Sequence, residues 1–357
     1  MPNVLEIQSH KGPYTVTFGD CQARAANHEA LAKTHVIVDR RIAELHADKL
    51  KAYLSLPSVL ILEAIEENKS LDKMPAYVDH LVKHSIRRDH VLLAIGGGII
   101  QDITCFLAAT LLRGVPWHFF PTTLLAQADS CIGSKSSINS GGAKNILGTF
   151  TPPQRVTIDK DFLNSLDDRE IRSGLGEIIK VHAIDGPKSF DALSHDYDDT
   201  LSDPNTLARY IFRALEIKKH YIEIDEFDRG VRNIFNYGHS FGHAIEAATN
   251  FSIPHGIAVT IGMDMANYTA TKLGVSAASH FDRMHPMLRK NFSGYETHPV
   301  PVGPFIAAIS KDKKNVGAAS VTLILPDTDG KIFKDSYSND DVFASICKTY
   351  LEENRSQ

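Results

Sequence analysis

Histidines and a carboxylate in the second half of the sequence have the types and spacing of a metal site. His239 and His243 stand four residues apart in NYGHSFGH, so on a helix they share a face, and His255 follows in PHG. Glu177, in GLGEIIK, adds a carboxylate whose glycine neighbours allow close packing. Two imidazoles and one carboxylate leave a coordination position of Zn²⁺ open, as a catalytic zinc requires. In a chain with 17 histidines such a pair is more often structural, and the lack of HExxH argues against a zinc peptidase.

A glycine-rich turn in the first half is a candidate nucleotide-binding loop. Gly96, Gly97 and Gly98 end an apolar strand and open the helix IIQDITCFLAATLL, where backbone N–H groups can approach a pyrophosphate. The spacing differs from GxGxxG, so a tight strand-to-helix turn is an equal reading. Asp39 and the segment 121–123 (PTT) end neighbouring predicted strands, and ligands of such sheets bind outside the carboxyl ends of strands. These two features favour the nucleotide.

Cationic side chains stand in otherwise apolar or small-residue segments. Each one alone is most simply a solvated surface charge. Together with a metal and a nucleotide loop they suit a phosphorylated, carboxylated substrate, because lysine and arginine are the usual anion ligands. The residues are Lys135, Lys144 beside Asn145, Lys180, Lys218, Arg232, Lys313 and Lys314.

The elements that must position these groups predict an α/β fold. Apolar, β-branched or aromatic segments at 34–39, 58–64, 90–98 and 115–123 are predicted as buried strands, and helical spacing at 42–54 and 71–86 predicts helices between them. Alternating strands and helices indicate a Rossmann-like parallel sheet.

The pattern breaks at the segment 151–154 (TPPQ), and a mostly α-helical part follows. Helices are predicted at 162–184, 204–224, 240–250 and 257–274, and a hairpin at 320–335. We therefore expect an NAD-binding α/β domain over 1–155 and a helical metal- and substrate-binding domain over 156–357.

Composition excludes several classes of protein. The net charge of −5 offers no basic excess for nucleic acid. The longest apolar run, 103–112, is too short to span a bilayer, and the N-terminus has no secretory signal pattern. Four scattered cysteines without a CxxC pair fit a reduced, cytoplasmic protein.

Taken together, these motifs resemble the 3-dehydroquinate synthase family, part of the sugar phosphate cyclases. The resemblance covers nearly the whole chain. Its motifs occur in the family's order: GGGIIQD, RGVPWHFFPTTLLAQADSCIGSKSSIN, KNILGTF, GLGEIIK, DEFDRGVRNIFNYGHSFGHAIE and PHG.

The resemblance implies cofactors and their ligands. Zn²⁺, or Co²⁺ in its place, would be bound by Glu177, His239 and His255. NAD would be bound by Asp39, Glu66, Lys69, Gly97, Gly98, Asp102, Thr122, Thr123, Asp129, Lys144, Ser165 and Glu170.

The resemblance also implies a substrate and a reaction. Family residues that hold the substrate's phosphate and carboxylate match Lys135, Asn145, Lys180, Lys218, Arg232, Asn236, His243 and Lys314. His243 is then a phosphate and proton-relay group, and Arg113 matches an arginine that reaches across a homodimer interface. The implied reaction converts 3-deoxy-D-arabino-heptulosonate 7-phosphate to 3-dehydroquinate and phosphate by oxidation, phosphate elimination, reduction and intramolecular aldol closure.

Departures from the family pattern bear on the substrate. The family usually has glycine where Gln101 stands, Gly-Lys-Thr where the segment 134–136 (SKS) stands, and an acidic residue where Ile257 stands. The segment after Lys180 is also shorter in this chain. Cyclases of non-carboxylated heptuloses lose the arginine and asparagine before the first metal histidine and the second histidine after it. Arg232, Asn236 and His243 are all present, which favours a carboxylated substrate.

Three rival functions remain. The nearest is a cyclase of another keto-sugar phosphate, such as sedoheptulose 7-phosphate. The second is a glycerol-dehydrogenase-like alcohol oxidoreductase that uses a metal and NAD. The third is a zinc-stabilised binding protein, which would have no use for a cluster of anion-binding cations.

Overall fold

The computed structural model describes residues 4–25, 27–311, 315 and 319–356 of the 357-residue chain. The chain divides into two compact units, the first made of 1–167 and 218–228 and the second of 168–217 and 229–357. The first unit therefore includes a short segment from the middle of the sequence. The assignment of NAD binding to 1–155 and of metal and substrate binding to 156–357 stays a prediction.

The first unit is built on a seven-stranded sheet in the order β1-β2-β9-β6-β5-β3-β4. Only the β1–β2 pair is antiparallel, and every other pair in this sheet is parallel. A separate antiparallel hairpin is formed by β7 and β8. The strands are β1 Val4–Ile7, β2 Tyr14–Phe18, β3 Thr34–Asp39, β4 Leu60–Leu62, β5 Val91–Gly96, β6 Trp117–Pro121, β7 Lys135–Ser140, β8 Ala143–Phe150 and β9 Arg155–Ile158.

Helices lie between the strands of the first unit, as alternation in the sequence predicts. They are α1 Gln22–Ala25, α2 His28–Ala32, α3 Arg40–Leu45, α4 Ala47–Leu54, α5 Met74–Lys83 and α6 Gly98–Thr110. The core on one side of the sheet contains Val36, Leu93 and Phe120 from the strands, with Tyr53 and Phe162 packed against them. These strands are apolar throughout because both faces of a parallel sheet are covered. The predicted α/β fold is confirmed.

The second unit is mostly helical, and its described residues include one hairpin. Its helices are α7 Asp168–Asp185, α8 Pro187–His195, α9 Tyr197–Ser202, α10 Pro204–Ile224, α11 His239–Ala248, α12 His255–Lys272, α13 Ala278–Asn291, α14 Val302–Ser310 and α15 Asp341–Thr349, and the last turns of α10 belong to the first unit. Strands β10 Ser320–Pro326 and β11 Ile332–Ser338 pair antiparallel, so the predicted hairpin is confirmed.

Helix α12 is the centre of the second unit. All residues from Gly256 to Ala270 are buried, because α7, α11 and α13 surround this helix. A helix that is apolar on every side is a buried core helix or a membrane span. Among the described residues, no helix is long and apolar enough to cross a membrane.

Two predicted helices are each divided in the structure. The segment 162–184 is a 3₁₀-helix at Lys160–Ser165 followed by α7, because Leu166 is extended (ψ 143°). The segment 42–54 divides into α3 and α4 at His46, which leaves helical geometry (φ −118°, ψ 29°) and contacts the Ser165 hydroxyl at 3.0 Å. In both places the apolar residues keep their helical spacing in the sequence, but a local change in backbone conformation divides the helix.

Candidate functional site

The predicted metal ligands converge in the second unit. Glu177 lies in α7, and His239 and His255 are the first residues of α11 and α12. The Oε1 atom of Glu177 is 3.5 Å from Nε2 of His239 and 3.4 Å from Nε2 of His255. That oxygen is buried and has no hydrogen-bond partner in the described part of the chain. A buried carboxylate oxygen facing two imidazole nitrogens fits a divalent metal.

Glycines beside the three ligands let their helices approach at backbone distance. A Cβ added to Gly176 would lie 2.2 Å from the carbonyl oxygen of Gly256, and one added to Gly256 would lie 1.7 Å from that of Ser173. Gly238 precedes α11 with φ +76°, and a Cβ there would lie 2.6 Å from the carbonyl oxygen of Val259. The glycine neighbours of Glu177 therefore do allow the close packing expected from the sequence.

The second ring nitrogen of each candidate ligand also has a partner. Nδ1 of His239 lies 3.3 Å from the carbonyl oxygen of Tyr237, and Nδ1 of His255 lies 3.2 Å from Oε1 of Glu246. A ring that donates from Nδ1 keeps the Nε2 lone pair available to a metal. In both rings, the Nδ1 contact thus directs Nε2 towards Glu177.

Charge in this cluster is balanced around Glu177. Burial alone would raise the pKa of Glu177, but the Lys180 ammonium and the two imidazoles hold it well below its usual value. Burial, and then Lys180, lower the pKa of His239 well below its usual value. Burial also opposes protonation of His255, yet the adjacent Glu177 and Glu246 carboxylates outweigh it and raise the pKa of His255 to about 10.

Further predicted residues of the second unit lie near the same elements. Lys180 forms an ion pair with Glu177 and lies 5.8 Å from the centre of the Phe235 ring. Arg232 and Asn236 belong to the 3₁₀-helix Val231–Asn236, and Arg232 is only 7% exposed. His243 is exposed, with its ring centre 5.3 Å from that of His239 and 5.8 Å from that of His255. It is not in the donor group formed by Glu177, His239 and His255.

In the first unit, the predicted nucleotide loop has the expected location. Strands β6, β5 and β3 are parallel neighbours, so Thr122, Gly97 and Asp39 lie at the same edge of the sheet. The amide of Thr122 donates to Gly96 O at 3.0 Å. Gly97 precedes the first residue of α6, Gly98, and a Cβ on Gly98 would project into open space.

Beside the loop, four predicted residues form one hydrogen-bonded network. Lys69 donates to Asp102 at 3.1 Å and to the Asn145 side-chain oxygen at 2.9 Å, and lies 3.5 Å from Glu66. Asn145 stands in β8 with φ +53°, a conformation that asparagine tolerates better than most residues. The network joins β8 to α6 and the segment before α5. Asn139, absent from the predicted set, completes it by donating to Glu66 at 2.8 Å.

Two more predicted lysines of the first unit pair with carboxylates. Lys218, 6% exposed, donates to the Asp129 carbonyl at 2.5 Å and lies 3.0 Å from its carboxylate. Asp129 belongs to a π-helical turn, Ala126–Ser130, of the kind often found at functional sites. Lys135 forms an ion pair with Asp228, which sequence reasoning missed.

Gln101, the first departure from the family pattern, supports this π-helical turn. Its amide donates to the Ser130 carbonyl at 2.6 Å and accepts from the Ser130 hydroxyl at 2.6 Å. The other departures, Ser134 and Ile257, are buried at 1% and 0% exposure.

The remaining predicted residues that the structure describes are divided between the two units. The amide of Ala126 donates to the hydroxyl oxygen of Thr123 at 3.1 Å, and the Ser165 hydroxyl contacts the His46 ring. Glu170 lies in the first turn of α7, in the second unit. Lys144 and Arg113 are exposed, and Lys313 and Lys314 lie outside the described residues.

Known proteins resemble this chain over most of its length. The family model for the 3-dehydroquinate synthase N-terminal domain matches 59–173, and that for the C-terminal domain matches 174–315. A curated 3-dehydroquinate synthase of Acidithiobacillus ferrooxidans is 38% identical over 79% of this chain and 79% of its own length. One from Mesorhizobium japonicum is 34% identical over 99% of this chain and 97% of its own length.

A solved structure gives the same result at the level of fold. A 2-epi-5-epi-valiolone synthase from Streptomyces hygroscopicus, with NAD⁺ and Zn²⁺ bound, superposes with a TM-score of 0.81 at 27% identity. The match covers 96% of this chain and 97% of that one. The chain therefore belongs to the 3-dehydroquinate synthase family.

Proposed function

We propose that this protein converts 3-deoxy-D-arabino-heptulosonate 7-phosphate to 3-dehydroquinate and phosphate, with NAD and Zn²⁺ or Co²⁺ as cofactors. The observation that carries the proposal is the buried, unpartnered Oε1 of Glu177, which faces Nε2 of both His239 and His255. Curated relatives at 34–38% identity carry the name of this activity. The reaction is redox-neutral overall, because its reduction step reverses its oxidation step, so NAD would be used catalytically and the enzyme would be a lyase.

The proposed cofactors fit the residues that would hold them. Glu177, His239 and His255 would hold the metal and leave a coordination position for substrate. The strand ends at Asp39, Gly97 and the segment 122–123 would hold NAD, with the pyrophosphate at the first turn of α6. A bound metal supplies Lewis-acid activation of a substrate oxygen, and bound NAD supplies reversible redox chemistry.

The cationic residues would bind the substrate's two anionic groups. We assign its phosphate to Lys135, Asn145 and His243 and its carboxylate to Arg232 and Lys218. Lys180, Asn236 and Lys314 would also help to hold these two groups. Arg232 and Lys218 are 7% and 6% exposed. Arginine and lysine are the usual ligands of carboxylates, so the presence of both residues supports a carboxylated substrate over a heptulose that lacks this group. His243 is exposed beside the metal ligands, where it can hold or transfer a proton.

Two broader expectations accompany the proposed reaction. A homodimer is supported by Arg113, which is exposed between Leu112 and Gly114 in a run of three positive φ angles (52°, 69° and 120°). Such strained backbone often marks a functional position. A cytoplasmic location is supported by the four cysteines, which are all free and buried.

A phosphate-release assay tests the reaction. With substoichiometric NAD⁺ and the heptulosonate phosphate, we expect many turnovers of phosphate release and no lasting rise in NADH absorbance. Stoichiometric NADH without phosphate release would instead indicate an alcohol oxidoreductase. Faster turnover of sedoheptulose 7-phosphate would refute the carboxylate argument and assign a different cyclase activity.

Substitution of Arg232 tests substrate recognition. We expect Arg232→Ala to lower kcat/KM for the heptulosonate by about 2–3 kcal/mol of transition-state binding, the value of a charge-assisted pair. Arg209→Ala is the matched control, because Arg209 is an exposed arginine of the same unit that pairs with Asp196. Equal effects of the two substitutions would remove Arg232 from the substrate site.

A further inference from the structure

Glu246 is a buried carboxylate beside the candidate metal centre for which the proposed reaction has no role. It lies in α11 and is 8% exposed. Nδ1 of His255 lies 3.2 Å from its Oε1 and 3.3 Å from its Oε2. The other nitrogen of the same ring, Nε2, lies 3.4 Å from Glu177. His255 is therefore held between two carboxylates, one at each ring nitrogen.

The fold explains why His255 needs this second contact. His239 and His255 are both first residues of their helices, so no preceding turn of the same helix packs against either ring. The side chain of His255 is 36% exposed, against 14% for His239 and 2% for Glu177. The ring is thus the least constrained of the three candidate ligands.

Glu246 is placed to constrain that ring by the helix that also carries His239. It follows His239 by seven residues, which is two helical turns, so both side chains lie on the same face of α11. Helices α11 and α12 are in close contact, since a Cβ on Gly242 would lie 3.1 Å from the carbonyl oxygen of Ala258. One helix therefore supplies a metal ligand and the support for another.

We propose that Glu246 is a positioning residue that orients His255 for metal binding. The inference rests on the proposed metal site. A carboxylate that accepts from Nδ1–H selects the tautomer with its lone pair on Nε2, fixes the ring plane and makes Nε2 a better donor. At its own Nδ1, His239 lies beside the main-chain carbonyl of Tyr237. Glu246 thus gives the Nδ1 atom of His255 a charged partner, where that of His239 has a neutral one among the described residues.

The main rival is that Glu246 itself binds a cation. Donor atoms of His243, Glu246 and His255 also lie within 4.8 Å of one another. In that case Glu246 would be a ligand of a second ion. Metal stoichiometry separates the two roles, because loss of a ligand set removes one ion per chain and loss of a positioning residue only weakens the binding of the remaining ion.

The experiment measures Zn²⁺ binding to metal-free protein by competition with a chromogenic chelator. The variants are Glu246→Gln, which keeps a neutral oxygen acceptor, and Glu246→Asp, which keeps the charge on a shorter side chain. Glu216→Gln is the matched control, because Glu216 is an exposed carboxylate of the same unit, 3.6 Å from Arg213. Denaturant unfolding of each metal-free variant reports any loss of structure.

We expect one Zn²⁺ per wild-type chain and a Zn²⁺ Kd about 10–100-fold higher in Glu246→Gln, the usual effect of removing such a partner. The Zn²⁺ Kd of Glu246→Asp should lie between those of wild type and Glu246→Gln, and the Kd of Glu216→Gln should match that of wild type. The Co²⁺-loaded Glu246→Gln protein should show an altered d–d absorption band. An unchanged Kd and Co²⁺ spectrum in Glu246→Gln would overturn the inference, as would a fall from two Zn²⁺ ions to one. Wild-type protein that binds no Zn²⁺ would overturn the proposed metal site itself.

Discussion

Substitution of Gly176 by alanine tests the backbone packing that brings the candidate metal ligands together. Gly176 precedes Glu177 in α7, and its added methyl group would lie 2.2 Å from the carbonyl oxygen of Gly256 and 2.7 Å from the hydroxyl oxygen of Thr260. The nearest obstacle is backbone, which cannot rotate away. Helices α7 and α12 must therefore separate by about 0.8 Å to restore even a tight 3.0 Å contact.

The expected magnitude follows from two opposing effects. Alanine is favoured over glycine inside a helix by about 1 kcal/mol, and overpacking a tight contact costs about 1–3 kcal/mol. We expect a net loss of up to about 2 kcal/mol in the free energy of unfolding of the metal-free protein. Zn²⁺ affinity should fall as well, because the same displacement separates Glu177 from His255.

Gly303→Ala is the control for this substitution. Gly303 lies in α14, has no positive φ, and an added Cβ would meet nothing within 4 Å. There we expect stabilisation of about 0.4–1 kcal/mol and no change in Zn²⁺ affinity. Denaturant unfolding and chelator competition measure both quantities. If Gly176→Ala stabilises the protein as Gly303→Ala does, the proposed role of this contact is refuted.

Two further predictions concern acid stability and the π-helical turn. Three buried histidines have their pKa lowered to about 4, mainly by burial, so they bind protons more readily in the unfolded chain: His35, His182 and His280. Their contribution to stability is complete above about pH 6.5 and is lost as pH falls towards 4, by roughly 2 kcal/mol for each at pH 5. His182→Gln should make the pH dependence of the unfolding free energy shallower between these limits, and an unchanged slope would contradict the prediction. Gln101→Ala removes two 2.6 Å hydrogen bonds to Ser130 and should lower the unfolding free energy by about 1–2 kcal/mol and raise KM for the sugar phosphate. A double-mutant cycle with Ser130→Ala checks this prediction, since independent effects would mean that the two side chains do not act through each other.

Much of the architecture is determined by local sequence pattern. Strand β3 occupies the predicted range 34–39, and α10 occupies the predicted range 204–224. In both segments the apolar residues follow a single pattern from end to end, so neighbouring residues favour the same element. The candidate metal ligands were also predictable, because histidines at helix starts and glycines beside Glu177 leave a local signal. Glu246 could have been found in the same way, from its spacing of two turns after His239.

The polar pairings of the candidate site were decided only by the tertiary structure. Lys218 meets Asp129 and Lys135 meets Asp228 across about 90 residues of sequence. The hairpin formed by β7 and β8, which carries Asn145, also escaped prediction, because β8 is exposed along most of its length. In the sequence alone, a lysine that is solvated in the folded protein looks the same as one that is buried against a carboxylate. Which of the two it becomes depends on long-range packing, because the partner's position is set by strands and helices far away in the chain.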